Sequence, residues 1–149
     1  MMQRSESFLL SALLAFSGGF QDAYTYIARN RVFANGQTGN LVILSINLME
    51  GNVLTALHYL WPLLAFAGGV FAAEQIRSTH DHKGKLYWRQ IVLIVEMILL
   101  TLAAFIPHTI DSVANMLVSF CCAMQVETFR KAEGNSYAST MIIGNLRSA

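Results

Sequence analysis

The chain has 149 residues, 54% of them hydrophobic and only 13% charged, with a net charge of +1 and a mean hydropathy of +0.45. A soluble domain carries charge on about a quarter of its residues, and the apolar residues here cluster in runs instead of alternating on a strand period. An ordinary soluble domain is thereby excluded, and without a basic block interleaved with aromatics nothing points to nucleic acid.

The expected fold is all-α, a polytopic membrane helix bundle forming one transmembrane domain over 1–149. The runs predict spans at about 8–27, 32–50, 57–76, 88–106, 112–130 and from 136 onward, five complete and a sixth cut short. Arg4 followed by Phe8–Phe16 has the outline of a signal peptide. The run continues to Ile27 without a clear Ala-x-Ala site, so a retained span is expected.

The stretch from Ser17 to Leu41 is polar in the wrong place. Gln21 and Asp22 interrupt the first run, and Asn35-Gly36-Gln37-Thr38-Gly39-Asn40 opens the second. From Leu41 to Met49 that second run has nine residues, whereas a helix crosses a bilayer with about 20. A crossing must therefore begin near Val32, which puts the Gly-rich patch at membrane depth. Such backbone is tolerated there where it packs on protein or lines a wet cavity. A break at Gly36–Asn40 is expected, with the half-helix N-terminus facing the interior.

In the third run, Trp61-Pro62 is expected in a first helical turn at the interface. Ala65/Gly69 and Gly68/Ala72 are small-xxx-small pairs that let helices approach closely or serve as helix filler. His80 and His82 flank Asp81 in the one plainly hydrophilic connection, and lacking a third fixed ligand they are expected to be solvated. Pro107 ends the fourth run. The adjacent Cys121 and Cys122 are expected to be reduced packing residues.

If every run crosses, Arg29, Arg31, Arg77, Lys83, Lys85, Arg89, Arg130 and Lys131 fall on one side and Arg4 alone on the other. Under the positive-inside rule this predicts a cytoplasmic basic side and an N-terminus outside. The chain also repeats: Gln21 leads to Gly39-Asn40-Leu41, and Gln125 to Gly144-Asn145-Leu146, with a basic pair between in each copy. The copies, about 8–106 and a truncated 112–149, are separated by an even number of predicted spans. A parallel repeat is expected, with Asn40 and Asn145 at equivalent depths.

Gly19-Phe20-Gln21-Asp22-Ala23, Val32-Phe33 and Thr38-Gly39-Asn40 together resemble the YoaK family of bacterial multi-pass inner-membrane proteins, which has no assigned function. The weaker second copy corresponds to Met124-Gln125 and Gly144-Asn145-Leu146-Arg147-Ser148. Two departures stand out: Ile143 replaces a frequent threonine, and the chain is shorter than is usual in the family. The resemblance implies a bacterial inner-membrane location and a repeat, but no substrate.

A charged group at the bilayer centre costs about 2.5–3.5 kcal/mol on insertion scales, so such residues face the bundle interior. Gln21, Asp22, Thr38, Gly39, Asn40, Gln125, Glu127 and Asn145 are the candidate substrate-binding residues. The alternative for all of them is helix packing through mutual hydrogen bonds. Glu96, inside Ile91–Leu100, is a candidate proton-coupling carboxyl or a hydrogen-bonded packing residue. With no nucleophile–base pair, phosphate loop or metal cluster, no enzyme, cofactor or metal is expected. Two functions stay open: a transporter of a small molecule or ion, and a membrane scaffold or accessory subunit. Expected partners are the lipid bilayer, a small solute or ion, and a second copy of the chain through the small-residue faces.

Overall fold

A computed structural model describes residues 8–80, 85–129, 131–132 and 135–136, with side chains over 9–79 and 88–129. Five α-helices follow in order: α1 Phe8–Ala28, α2 Gln37–Met49, α3 Val53–His80, α4 Lys85–Phe105 and α5 Asp111–Thr128. A 3-10 turn, His108–Ile110, leads into α5, and a two-residue ladder, β1 Lys131–Ala132 with β2 Asn135–Ser136, follows it. Among the described residues three segments are long and apolar enough to cross a membrane: Val53–Thr79, Trp88–Phe105 and His108–Thr128. The expected all-α membrane bundle is what the chain forms.

Helices α3, α4 and α5 make the core. Ala73 of α3, Trp88 and Val92 of α4 and Met124 of α5 form one buried cluster, which places the end of α3, the start of α4 and the end of α5 together. The closest approach is between α3 and α5. A methyl group on Gly69 would overlap the Phe120 carbonyl oxygen and the Ala123 side chain, while Gly68 has ordinary room at 3.8 Å from the Phe120 ring. The expected close packing at Gly69 is thus used inside the chain.

Helix α1 runs antiparallel to α5. Three contacts step along the pair: Gln125 Nε2 donates to Leu14 O at 2.8 Å, Cys122 Sγ to Gln21 Oε1 at 2.8 Å, and Arg29 Nη1 to Asp111 Oδ1 at 2.8 Å. With 21 residues, α1 is about 31 Å long at 1.5 Å per residue, enough to match its neighbours.

Helix α2 does not cross, contrary to the predicted second span. After Arg29 the chain turns back at Asn30 and Arg31, both in the left-handed region with φ of 63° and 60°, and descends along α1. Phe33 stacks on Tyr26 at 4.7 Å between ring centroids. Asn35 N–H donates to Asp22 Oδ1 at 2.7 Å, and Asn35 Nδ2 to Gly18 O at 3.3 Å. Gly18 lies about 16 Å down α1 from Arg29 at the helical rise. Helix α2 then climbs back, and α3 begins where α1 ended: His58 Nε2 meets Asn30 O at 3.4 Å. The 13 residues of α2 span only about 20 Å, too short to cross, and the segment from Asn30 to Met49 forms a hairpin against α1. The break lies before the predicted Gly36–Asn40, over residues 29–36, since Gln37–Asn40 already form the first turn of α2.

Three expectations change with this. Among the described residues three segments, in α3, in α4 and from the 3-10 turn through α5, are long and apolar enough to cross, against the five complete spans expected. Arg29 and Arg31 lie at the opposite end of the bundle from Arg77, Lys85 and Arg89, so the eight-against-one count fails along with the crossing that it assumed. A second copy beginning at α5 is also not parallel to the first, because α1 and α5 run in opposite directions. Pro62 sits well inside α3, not in its first turn, because the helix starts at Val53. Pro107 ends α4 as expected, with extended backbone at φ −66° and ψ 152°.

Candidate functional site

The polar residues of α1 serve two different neighbours at one level of the helix. Gln21 faces the bundle, where its Nε2 donates to Ser17 Oγ at 3.1 Å and its Oε1 accepts from Cys122 Sγ at 2.8 Å. Glu96, at the midpoint of α4, approaches Gln21 from the other side. Its carboxyl is only 5% exposed, and Oε2 is buried without a hydrogen-bond partner. Cys121 Sγ lies 4.0 Å from the Glu96 carbonyl oxygen. Gln125 is buried on the same face of α5, with Oε1 also unpartnered.

Asp22, one residue on, holds the hairpin instead. Asn40, fully buried, secures the hairpin's other side: its Oδ1 accepts from Phe33 N at 3.0 Å, and its Nδ2 donates to Phe33 O at 2.6 Å and to Gln37 Oε1 at 2.9 Å. A side chain that satisfies both peptide groups of one residue replaces the strand partner which the extended segment lacks, as backbone at membrane depth requires. Gly39 is needed for contact with the Phe33 ring, which a methyl group would meet at 2.9 Å. Thr38 is exposed and Glu127 half-buried. Asn145 lies outside the described residues, as does the side-chain placement of His80 and His82.

Between α1 and α4 is a cavity of about 210 Å³, lined by Ser17, Phe20, Gln21, Tyr24, Leu100, Ala103, Ala104 and Val118. Its walls are mainly apolar, with Ser17, Gln21 and Tyr24 as the polar points. Arg29 binds two of the lining residues, Tyr24 and Ala103. Its Nε donates to Tyr24 OH at 2.7 Å, its Nη2 to Ala103 O at 3.3 Å, and its charge pairs with Asp111. Burial alone would pull the Arg29 guanidinium down, but the bonds to Asp111 and Tyr24 hold it above its ordinary value. Asn115 Nδ2 donates to Arg29 O at 2.8 Å, and His108 Nδ1 lies 3.3 Å from Asp111 Oδ1.

The arrangement therefore joins Gln21, Cys122, Glu96 and the cavity in one place, and Asp22, Asn35, Gln37 and Asn40 in another. Sequence reading missed Ser17, Arg29, Asp111 and Cys122 as site residues; Tyr24 was expected to converge with Gln21, Thr38 and Asn40 on Asp22, and it bonds to Arg29 instead. The signal for Arg29 and Asp111 was a cation at the end of one apolar run and a lone carboxylate at the start of another. Cys122 carried no signal, because buried cysteine reads as a small apolar residue. Among the described residues no three His, Cys, Asp or Glu side chains converge on a metal position.

No curated protein and no solved structure matches this chain. Residues 10–149 match the family described as protein of unknown function (DUF1275), which agrees with the resemblance carried by the Gly19–Ala23, Val32–Phe33 and Thr38–Asn40 motifs; the chain belongs to that family.

Proposed function

We propose that the protein is a carrier for a small solute or ion. One observation carries this reading: at a single level of α1, Gln21 meets a buried carboxyl and a cavity while Asp22 anchors a re-entrant hairpin. Non-helical backbone and an intramembrane acid at matching depth are the features on which membrane carriers build their sites. The cavity, larger than the roughly 150 Å³ that admits benzene, suits a compact solute with a mostly apolar body and one polar group. Ser17, Gln21 and Tyr24 would bind it, with Glu96 behind Gln21. Asp22, Gly39 and Asn40 would shape the site from behind, with Gln125 and Glu127 on the α5 side and Thr38 at the rim.

The basic end formed by Arg77, Lys85, Arg89 and Lys131 would be cytoplasmic in a bacterial inner membrane. Since α1 begins at that end, its N-terminus would lie on the cytoplasmic side. This replaces the expectation of an outside N-terminus.

A second reading, a scaffold or accessory subunit, is favoured by the closed bonding of Asn40, which leaves no group of that side chain for a ligand. Uptake of radiolabelled amino acids, monocarboxylates and nucleosides into vesicles separates the two. A carrier takes up one class, and Gln21→Leu abolishes that uptake. Asp22→Asn, which keeps an oxygen for Asn35, leaves the protein folded. No uptake of any class in correctly inserted protein would favour the scaffold.

A further inference from the structure

We propose that Glu96 is a proton-binding site, reached from the α1/α4 cavity by way of Gln21. The inference deepens the carrier reading by naming its coupling ion and rests on that reading for its purpose.

Four observations converge. Glu96 is withdrawn from solvent at the centre of a helix suited to cross the membrane. One of its carboxyl oxygens lacks any partner, so the group is not committed to structure as Asn40 is. Its polar neighbour Gln21 also lines the cavity, which gives a path between the carboxyl and the exterior. Finally, no basic group stands opposite it among the described residues. From α5 the Cys121 and Cys122 thiols lie within its electrostatic reach. From α1 it meets the neutral Gln21 amide, with Asp22 turned to Asn35. On α3 the charged pair Glu74–Arg77 bonds to itself at 3.0 Å near the helix end, and on α4 Arg89 lies two turns away against Trp88.

An ionised carboxylate in such surroundings lacks a counter-charge, and the proton is the smallest cation that supplies one. A sodium ion is disfavoured because hard cations gather several oxygens, whereas Gln21 Oε1 is already bonded to Cys122. Gln21 offers its remaining Nε2 hydrogen to the carboxyl, which sets the proton affinity. Loading and unloading then changes the contact between α1 and α4, and α1 carries the hairpin through Asp22.

The full chain in lipid vesicles would be treated with dicyclohexylcarbodiimide, an apolar reagent whose C=N bond adds the O–H of a protonated carboxyl. Mass spectrometry would locate the adduct. The expected result is labelling at Glu96 that declines as pH rises, is unchanged by sodium chloride, and vanishes in Glu96→Gln. The Gln21→Leu variant should shift the midpoint of that decline, which a purely packing role would not do. Infrared difference spectra between wild type and Glu96→Gln provide a second readout, expected to show a protonated carboxyl C=O band at neutral pH. A carboxylate band in its place, protection by sodium, or labelling independent of pH would overturn the proposal. Each readout is independent of transport, so failure of proton binding is distinguishable from failure of the carrier reading.

Discussion

Arg29 and Asp111, 82 residues apart in sequence, form an ion pair at 2.8 Å with side chains only 3% and 7% exposed. The pair joins the end of α1 to the start of α5, and Arg29 also reaches Tyr24 and the Ala103 carbonyl at the end of α4. Three helix ends are tied at one point. The same point binds Tyr24 and Ala103, two residues that line the cavity.

Removing one partner strands the other charge in a buried place, which costs about 3–5 kcal/mol. Arg29→Ala and Asp111→Ala should each lower unfolding stability in detergent by that order. The double variant Arg29→Met/Asp111→Leu should recover part of the loss, because neither charge is then left alone. Double variants no better than the singles would show that the pair is not the source of the effect.

Asn40→Ala should destabilise the hairpin. It removes an acceptor from Phe33 N and a donor from Phe33 O, leaving both peptide groups without their partner. The expected cost is roughly 2–4 kcal/mol. Proteolysis of vesicle-embedded protein reads it out, through new cleavage between Arg31 and Asn35. Asn40→Asp keeps the acceptor and loses the donor, so its effect should be intermediate in cleavage. For the same structural reason Gly39→Leu is not a clean probe of uptake, since any side chain there meets the Phe33 ring.

Two neighbouring glycines should respond differently to alanine. At Gly69 the added methyl group runs into Phe120 backbone and Ala123, whereas at Gly68 it finds the Phe120 ring at an ordinary distance. Gly69→Ala must separate α3 from α5 and should cost on the order of 1–3 kcal/mol. Gly68→Ala should be neutral or slightly stabilising, as alanine is the better helix former. Thermal unfolding of the two variants in one detergent makes the comparison; equal behaviour would contradict the α3–α5 packing.

The helical membrane class was legible because low charge and long apolar runs leave few alternatives. That the backbone breaks ahead of Leu41–Met49 was legible too, from the shortness of that run, although the break falls at residues 29–36 and not at Gly36–Asn40. Its topology was not. Hydropathy measures how apolar a segment is, and a hairpin that enters and leaves on one face scores much like a crossing. One extra crossing then inverted the side assigned to Arg29 and Arg31 and the sense of the repeat. Arg29 shows the same limit at a single residue: sequence reads it as an exposed flanking charge, and only Asp111, 82 residues away, makes its burial possible.

That topology has a direct test. If α2 is re-entrant, the end of α1 and the end of α2 lie on one side of the membrane and the end of α3 on the other. Ala28, Glu50 and Ser78 are exposed positions at those three ends. The native Cys121 and Cys122 are buried at 0% and 1%, which keeps background labelling low. Single cysteines at 28, 50 and 78 in the full-length protein would be reacted with an impermeant maleimide in right-side-out vesicles. Positions 28 and 50 should label together, on the opposite side from 78; with the basic end cytoplasmic, as proposed, 78 labels only after permeabilisation. A crossing α2 would separate 28 from 50 and pair 28 with 78, and that pattern would overturn the hairpin and, with it, the level at which Gln21 and Asp22 meet their two partners.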